Sequence, residues 1–125
     1  MEEPIKHRTG LTHAWHATGI ALQGLRAAWR HEDAFRQELI VSAIALPVAL
    51  LLPASLLGKA MLMASILLVL IVELINSALE TTVDHISLEK HPLAKRAKDI
   101  ASAAVLLSIV NAGIVWLMVL LDLGD

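Results

Sequence analysis

The stretch Leu67-Leu-Val-Leu-Ile-Val-Glu73-Leu-Ile-Asn76-Ser-Ala-Leu-Glu80-Thr-Thr-Val-Asp84 decides the fold. Its apolar run and lack of Gly or Pro read as a helix, and its length and hydropathy as part of a membrane span. Glu73 lies inside that run, where insertion of an ionisable group costs about 2.5–3.5 kcal/mol. Such a residue faces a bundle interior or a wet cavity and is a functional candidate. Glu73, Asn76, Glu80 and Asp84 follow at spacings of 3, 4 and 4. At about 100° per residue they fall on one helix face. Three carboxylates in register repel one another unless positive charge sits among them. An oxygen-only ligand set suits magnesium or manganese more than zinc.

Outward from this stretch, Ala60 to Val72 is uncharged, and so are Leu39 to Gly58 and Ile100 to Leu121. Each of the last two is long enough to cross a bilayer. The sequence therefore predicts an all-α membrane protein, a single membrane domain over 1–125 with spans at about 36–57, 59–84 and 96–121. Pro47 is expected to kink the first span, and Pro53 to form an outer turn with Gly58. Composition agrees: 57% of the 125 residues are hydrophobic and only 18% charged. Cysteine is absent, which excludes disulfides and thiolate metal sites. With no tyrosine, one phenylalanine and a net charge of -2, the chain has neither the stacking platforms nor the field for nucleic acid.

Residues 10–31 read as an amphipathic surface helix. Leu11, Trp15, Leu22, Leu25 and Trp29 share an arc of roughly 80°, with His13, His16, Gln23, Arg30 and His31 away from it. Trp15 and Trp29 suit the headgroup zone. The first 30 residues lack an unbroken apolar core, so no signal peptide is expected. Lys6, Arg8, Arg26, Arg30 and Arg36 precede the first span, and Lys90, Lys95, Arg96 and Lys98 lie before the third. Lys59 alone of the ten basic residues lies in the other loop. The positive-inside bias places the N-terminus and the second loop in the cytoplasm and the C-terminus outside.

More charge gathers at the same membrane face: Glu32, Asp33 and Glu38 after the surface helix, Lys98 and Asp99 opening the third span. Lysine beside carboxylates is what a nucleotide triphosphate with magnesium needs. Glu73, deeper in the membrane, is placed to take a proton from a lipid hydroxyl. Polar residues in spans also bond helices together, and Asn111 is read that way. Four polar groups in register, three of them acidic, exceed that need. His7, His13, His16, His85 and His91 read first as solvated interfacial residues.

Gly24-Leu-Arg26-Ala-Ala-Trp29, then Glu32, then Ala34-Phe35-Arg36-Gln37-Glu38, resembles the prokaryotic diacylglycerol kinases. So do Val72-Glu73-Leu-Ile-Asn76-Ser-Ala-Leu-Glu80 with Asp84, and Ala97-Lys98-Asp99 followed by Ser102-Ala-Ala-Val105. The blocks keep the family's order over nearly all of the chain after about Thr12. The resemblance implies an inner-membrane kinase that moves the γ-phosphate of MgATP onto diacylglycerol. It implies a homotrimer of three-span protomers with active sites shared between neighbours, and a role in lipid recycling. It places the general base on Glu73 and the metal-binding pair on Glu32 and Glu80. Nucleotide contacts fall on Asn76, Asp84, Glu89, His91, Lys98 and Asp99 as well as that pair. Lipid contacts fall on Arg26, Trp29, Ala34, Phe35, Arg36, Gln37, Glu38, Ser102 and Trp116, with Glu73 among them.

The family often has arginine where this chain has His13 and an aromatic where it has Ile20. A neutral His13 would hold phosphate less firmly than arginine, and Ile20 makes no aromatic contact. Three other functions compete. A related branch phosphorylates undecaprenol, although the Gly-Leu-Arg-Ala-Ala-Trp block looks more like the diacylglycerol branch. A small ion pathway would use Glu73 to carry charge, but the third span offers no polar path. A structural membrane subunit would leave the acidic ladder unexplained.

Overall fold

A computed structural model describes residues 10–86 and 91–124. Glu89, expected to contact nucleotide, lies outside the described residues, as do Lys6, His7, Arg8 and Lys90. Four helices follow in order: α1 Gly10–His31, α2 Asp33–Leu51, α3 Leu56–Ile86 and α4 Pro92–Asp122. Helices α2, α3 and α4 are each long and apolar enough to cross a membrane, so the protein is an all-helical membrane bundle with an added helix, α1.

The joint between α1 and α2 is a single residue. Glu32 is extended (φ -119°, ψ 104°). Its N–H still bonds to Ala28 O at 2.9 Å, and its carbonyl accepts from Arg36 N at 3.1 Å. The Arg36 guanidinium reaches back to Trp29 O (3.0 Å) and Arg30 O (3.2 Å), two of the last carbonyls of α1. It also pairs with Asp33. One cation thus satisfies carbonyls that the helix end leaves without partners. Phe35, 2% exposed, anchors the start of α2 in the core.

Helix α2 continues through Pro47 and ends at Leu51. Leu52 is extended (ψ 145°), as expected of a residue before proline. The turn between α2 and α3 comprises residues 52–55, and Gly58 belongs to the first turn of α3 rather than to the turn itself. Ser55 is the reason: its Oγ accepts from Gly58 N at 3.0 Å and its carbonyl from Lys59 N at 2.9 Å, which caps α3. At the other connection His91 caps α4. Its Nδ1 accepts from Leu93 N at 3.1 Å, with Pro92 in the first turn.

Helices α2 and α4 both pack on α3. The inward face of α4 carries Ala94, Ala97, Ala101, Val105, Ser108 and Ala112, mostly small residues that let two backbones approach. Leu62, Ser65, Ile66, Val69, Glu73, Asn76 and Ser77 are the buried residues of α3. Ser65 and Ser108 turn their hydroxyls onto their own helix, at Leu62 O and Val105 O, 2.7 Å each. They act there as small apolar spacers. The apolar arc of α1 stays uncovered, with Leu11 and Trp15 almost fully exposed, as a helix lying in a bilayer surface requires.

Candidate active site

Helix α3 builds the site. Glu73 is 5% exposed and Asn76 8%, both in the interior. Glu80 is half-buried one turn on, and Asp84 is exposed a further turn away. The ladder therefore climbs from dry to wet over about 16 Å, eleven residues at 1.5 Å each. The charges of Glu38, Glu80 and Glu32 all reach Glu73. These carboxylates belong to α2, α3 and the α1–α2 joint. Glu32 uses no side-chain bond to cap α2, so its carboxylate is not committed to the backbone.

Helix α4 supplies the positive charge. Lys98 Nζ bonds to Asp84 across the α3–α4 interface. Glu80 is the other acid that acts on it. Lys95 Nζ pairs with Asp99 at 2.7 Å on the outer side of the same turn. Ser102 is exposed one turn below Lys98.

One atom in the ladder is unpaired. Asn76 Nδ2 donates to Glu80 Oε1 at 3.2 Å, while Asn76 Oδ1 is buried with no partner. A buried orphan acceptor costs about 1–3 kcal/mol and suits a donor brought by a ligand. Among the described residues, no three His, Asp or Glu side chains converge to hold a metal ion unaided. Magnesium ordinarily takes only one or two carboxylates and completes its shell with water and phosphate.

Other expected residues are placed differently. His13 is exposed on α1, nineteen residues before Glu32, which is about 28 Å along a helix axis; this chain does not bring it to its own acidic cluster. Arg26, Ala34 and Gln37 are exposed and Trp29 partly so. Phe35 is buried and Arg36 caps α1, so both have structural work beside any lipid contact. His91 caps α4. Trp116 is half-buried near the other end of α4. The sequence reading passed over Ser77, buried beside Asn76, where it lines a groove with Ala28 and Glu32. It also passed over Ile66 and Val69, which continue the face of Glu73 away from the charges. Helical register carries the signal for both.

The sequence model of the prokaryotic diacylglycerol kinases matches residues 19–120. The chain is 48% identical over 118 residues to the diacylglycerol kinase of Pseudomonas aeruginosa, covering 94% of this chain and 96% of that protein. It is 46% identical over 112 residues to the diacylglycerol kinase of Escherichia coli K12, covering 90% and 92%. To the diacylglycerol kinase of Helicobacter pylori 26695 it is 39% identical over 116 residues, covering 93% and 90%.

Proposed function

The chain belongs to the prokaryotic diacylglycerol kinase family, and we propose that it transfers the γ-phosphate of MgATP to the free hydroxyl of diacylglycerol, giving phosphatidate and ADP. The observation that carries this reading is Glu73, buried in a span yet reached by the charges of Glu38, Glu80 and Glu32. Glu73 takes the proton of the lipid hydroxyl. The oxygen then bonds to the γ-phosphorus as the bond to the bridging oxygen of ADP breaks. Lys98 offsets phosphate charge, with Asp84 and Asp99 beside it. Asn76 Oδ1 accepts from a donor that the reactants bring. Glu32 and Glu80 would hold magnesium, which would supply neutralisation of the phosphate charge. Positioning and charge neutralisation supply the rate, with no covalent intermediate.

Arg26, Trp29, the residues 34–38, Ser102 and Trp116 contact lipid in this reading, and His91 with Glu89 lies near the nucleotide. The reaction takes place at the cytoplasmic face of the inner membrane, with the N-terminus inside and the C-terminus outside, and recycles diacylglycerol. The protein is a homotrimer with shared sites. The separation of His13 from Glu32 supports sharing, since a neighbour's His13 can approach where the chain's own does not.

The test is phosphate transfer from labelled ATP in mixed micelles, offering diacylglycerol and undecaprenol side by side, with and without magnesium. Magnesium-dependent labelling of diacylglycerol is expected. Labelling of undecaprenol alone would move the protein to the other substrate, and no labelling of either by folded protein would revive an ion-pathway or structural role.

A further inference from the structure

We propose that Ser77 is a catalytic residue, its hydroxyl donating a hydrogen bond to the phosphoryl group as that group passes from nucleotide to lipid. The inference rests on the reading of this protein as a diacylglycerol kinase and adds a residue to its machinery. Among the described residues four serines are buried: Ser42, Ser65, Ser77 and Ser108. Ser42, Ser65 and Ser108 each turn the hydroxyl onto a carbonyl of their own helix, at 2.7 Å, the usual way a helix satisfies a serine. Ser77 does not, although it is only 7% exposed. Its carbonyl accepts from Thr81 Oγ1 at 2.9 Å, but its hydroxyl has no hydrogen-bond partner among the described residues. Ser77 borders a groove of about 640 Å³ between α1 and α3, which Glu32 and Ala28 also line.

The position of Ser77 in the ladder identifies what its hydroxyl meets. Ser77 stands about 6 Å beyond Glu73 along α3 and about 4.5 Å before Glu80. At about 100° per residue it lies roughly 40° to one side of Glu73, with Asn76 roughly 60° to the other. During in-line transfer the phosphorus lies between the attacking and leaving oxygens. With the lipid oxygen at Glu73 and the nucleotide at Glu80 and Lys98, the group crosses the level of Ser77. Its equatorial oxygens carry negative charge there and call for donors. Ionised carboxylates only accept, and Asn76 Nδ2 is drawn to Glu80 Oε1. Ser77 supplies an unengaged donor at this level. A donor aimed at transition-state charge acts on rate more than on binding. Ser77 keeps its own proton throughout: the lipid hydroxyl proton goes to Glu73, the bond from lipid oxygen to phosphorus forms, and the bond from phosphorus to ADP breaks.

Removal of one hydroxyl tests this. In mixed micelles with magnesium, ATP and dioctanoylglycerol, Ser77→Ala is expected to lower kcat at least about tenfold. MgATP affinity by calorimetry should stay unchanged. The melting temperature in detergent should equal or exceed that of the parent, because a buried hydroxyl without a partner has lost its water. Ser77→Thr, which restores the hydroxyl, should recover most of the lost rate. Ser65→Ala removes a hydroxyl bonded to Leu62 O in the same helix and should leave kcat at the parent value. Transfer from ATPγS gives a readout that packing does not move. Sulfur accepts hydrogen bonds more weakly than oxygen, so the ratio of the ATP rate to the ATPγS rate should be smaller in Ser77→Ala than in the parent. An unchanged kcat, a loss of kcat that tracks a fall in melting temperature, an unchanged thio ratio, or a loss confined to MgATP affinity overturns the inference. So does label from ATP retained on the parent protein and absent from Ser77→Ala, which would make Ser77 a nucleophile. Should the unsubstituted protein label no diacylglycerol, the kinase reading itself fails, and this inference with it; full activity of Ser77→Ala beside an active parent overturns the inference alone.

Discussion

Asn76 and Glu80 share one hydrogen bond, Nδ2 to Oε1 at 3.2 Å, and the arrangement leaves Asn76 Oδ1 buried without a donor. The amide therefore restrains the Glu80 carboxylate while its own acceptor stays buried and unpartnered. In the free protein that acceptor is a cost, because an unpaired buried oxygen has lost its water.

Asn76→Leu removes the orphan together with the restraint on Glu80. The expected result is a melting temperature in detergent equal to or above that of the parent, by up to about 1 kcal/mol in stability. Turnover should fall by about a hundredfold or more, as on loss of a transition-state contact. A fall in melting temperature that tracks the activity would assign Asn76 to packing instead.

Glu73→Gln keeps the size of the side chain and removes its basicity. Phosphate transfer should be lost, while MgATP binding, followed by calorimetry, stays nearly intact. A loss of nucleotide affinity would make Glu73 a ligand rather than the base. Glu80→Gln is expected to do the reverse, weakening magnesium-dependent nucleotide binding first.

The Lys98–Asp84 pair bridges α3 and α4 at the exposed end of the ladder. Exposed ion pairs contribute little to stability, so neither Lys98→Gln nor Asp84→Asn should shift the melting temperature measurably. Lys98→Gln is expected to raise the KM for ATP about tenfold or more, since a lost charge on phosphate is not replaced. An unchanged KM for ATP would remove Lys98 from the nucleotide site.

The face from Glu73 to Asp84 is legible in the sequence because helical period alone brings spacings of 3, 4 and 4 together. The spans are legible because charge is missing from them. What pattern does not carry is the joint geometry. Arg36 reads as one more interfacial cation, but the extended Glu32 swings it back onto Trp29 O and Arg30 O. His91 reads as a solvated or phosphate-facing imidazole, but the N-terminal turn of α4 uses its Nδ1. The cleft between α2 and α4 depends on two helices leaning on a third, which no single stretch of sequence encodes.

Gly58 tests how tightly the start of α3 is built against the turn before it. A Cβ there would stand 3.3 Å from Ala54 Cβ and Ser55 Oγ and 3.6 Å from Val119 Cγ1. Gly58→Ala therefore sets a helix-propensity gain of about 1 kcal/mol against a contact that its neighbours must relieve by a few tenths of an ångström. Gly58→Val adds two methyl groups where α3 already meets α4, and crowding of this kind costs about 1–3 kcal/mol. The expected order of melting temperature is Gly58→Ala near the parent and Gly58→Val clearly below it. Turnover per folded molecule should be unchanged, because Gly58 lies fifteen residues, about 22 Å along α3, from Glu73. If Gly58→Val melts with the parent, the turn has slack that the close approach to Val119 does not suggest.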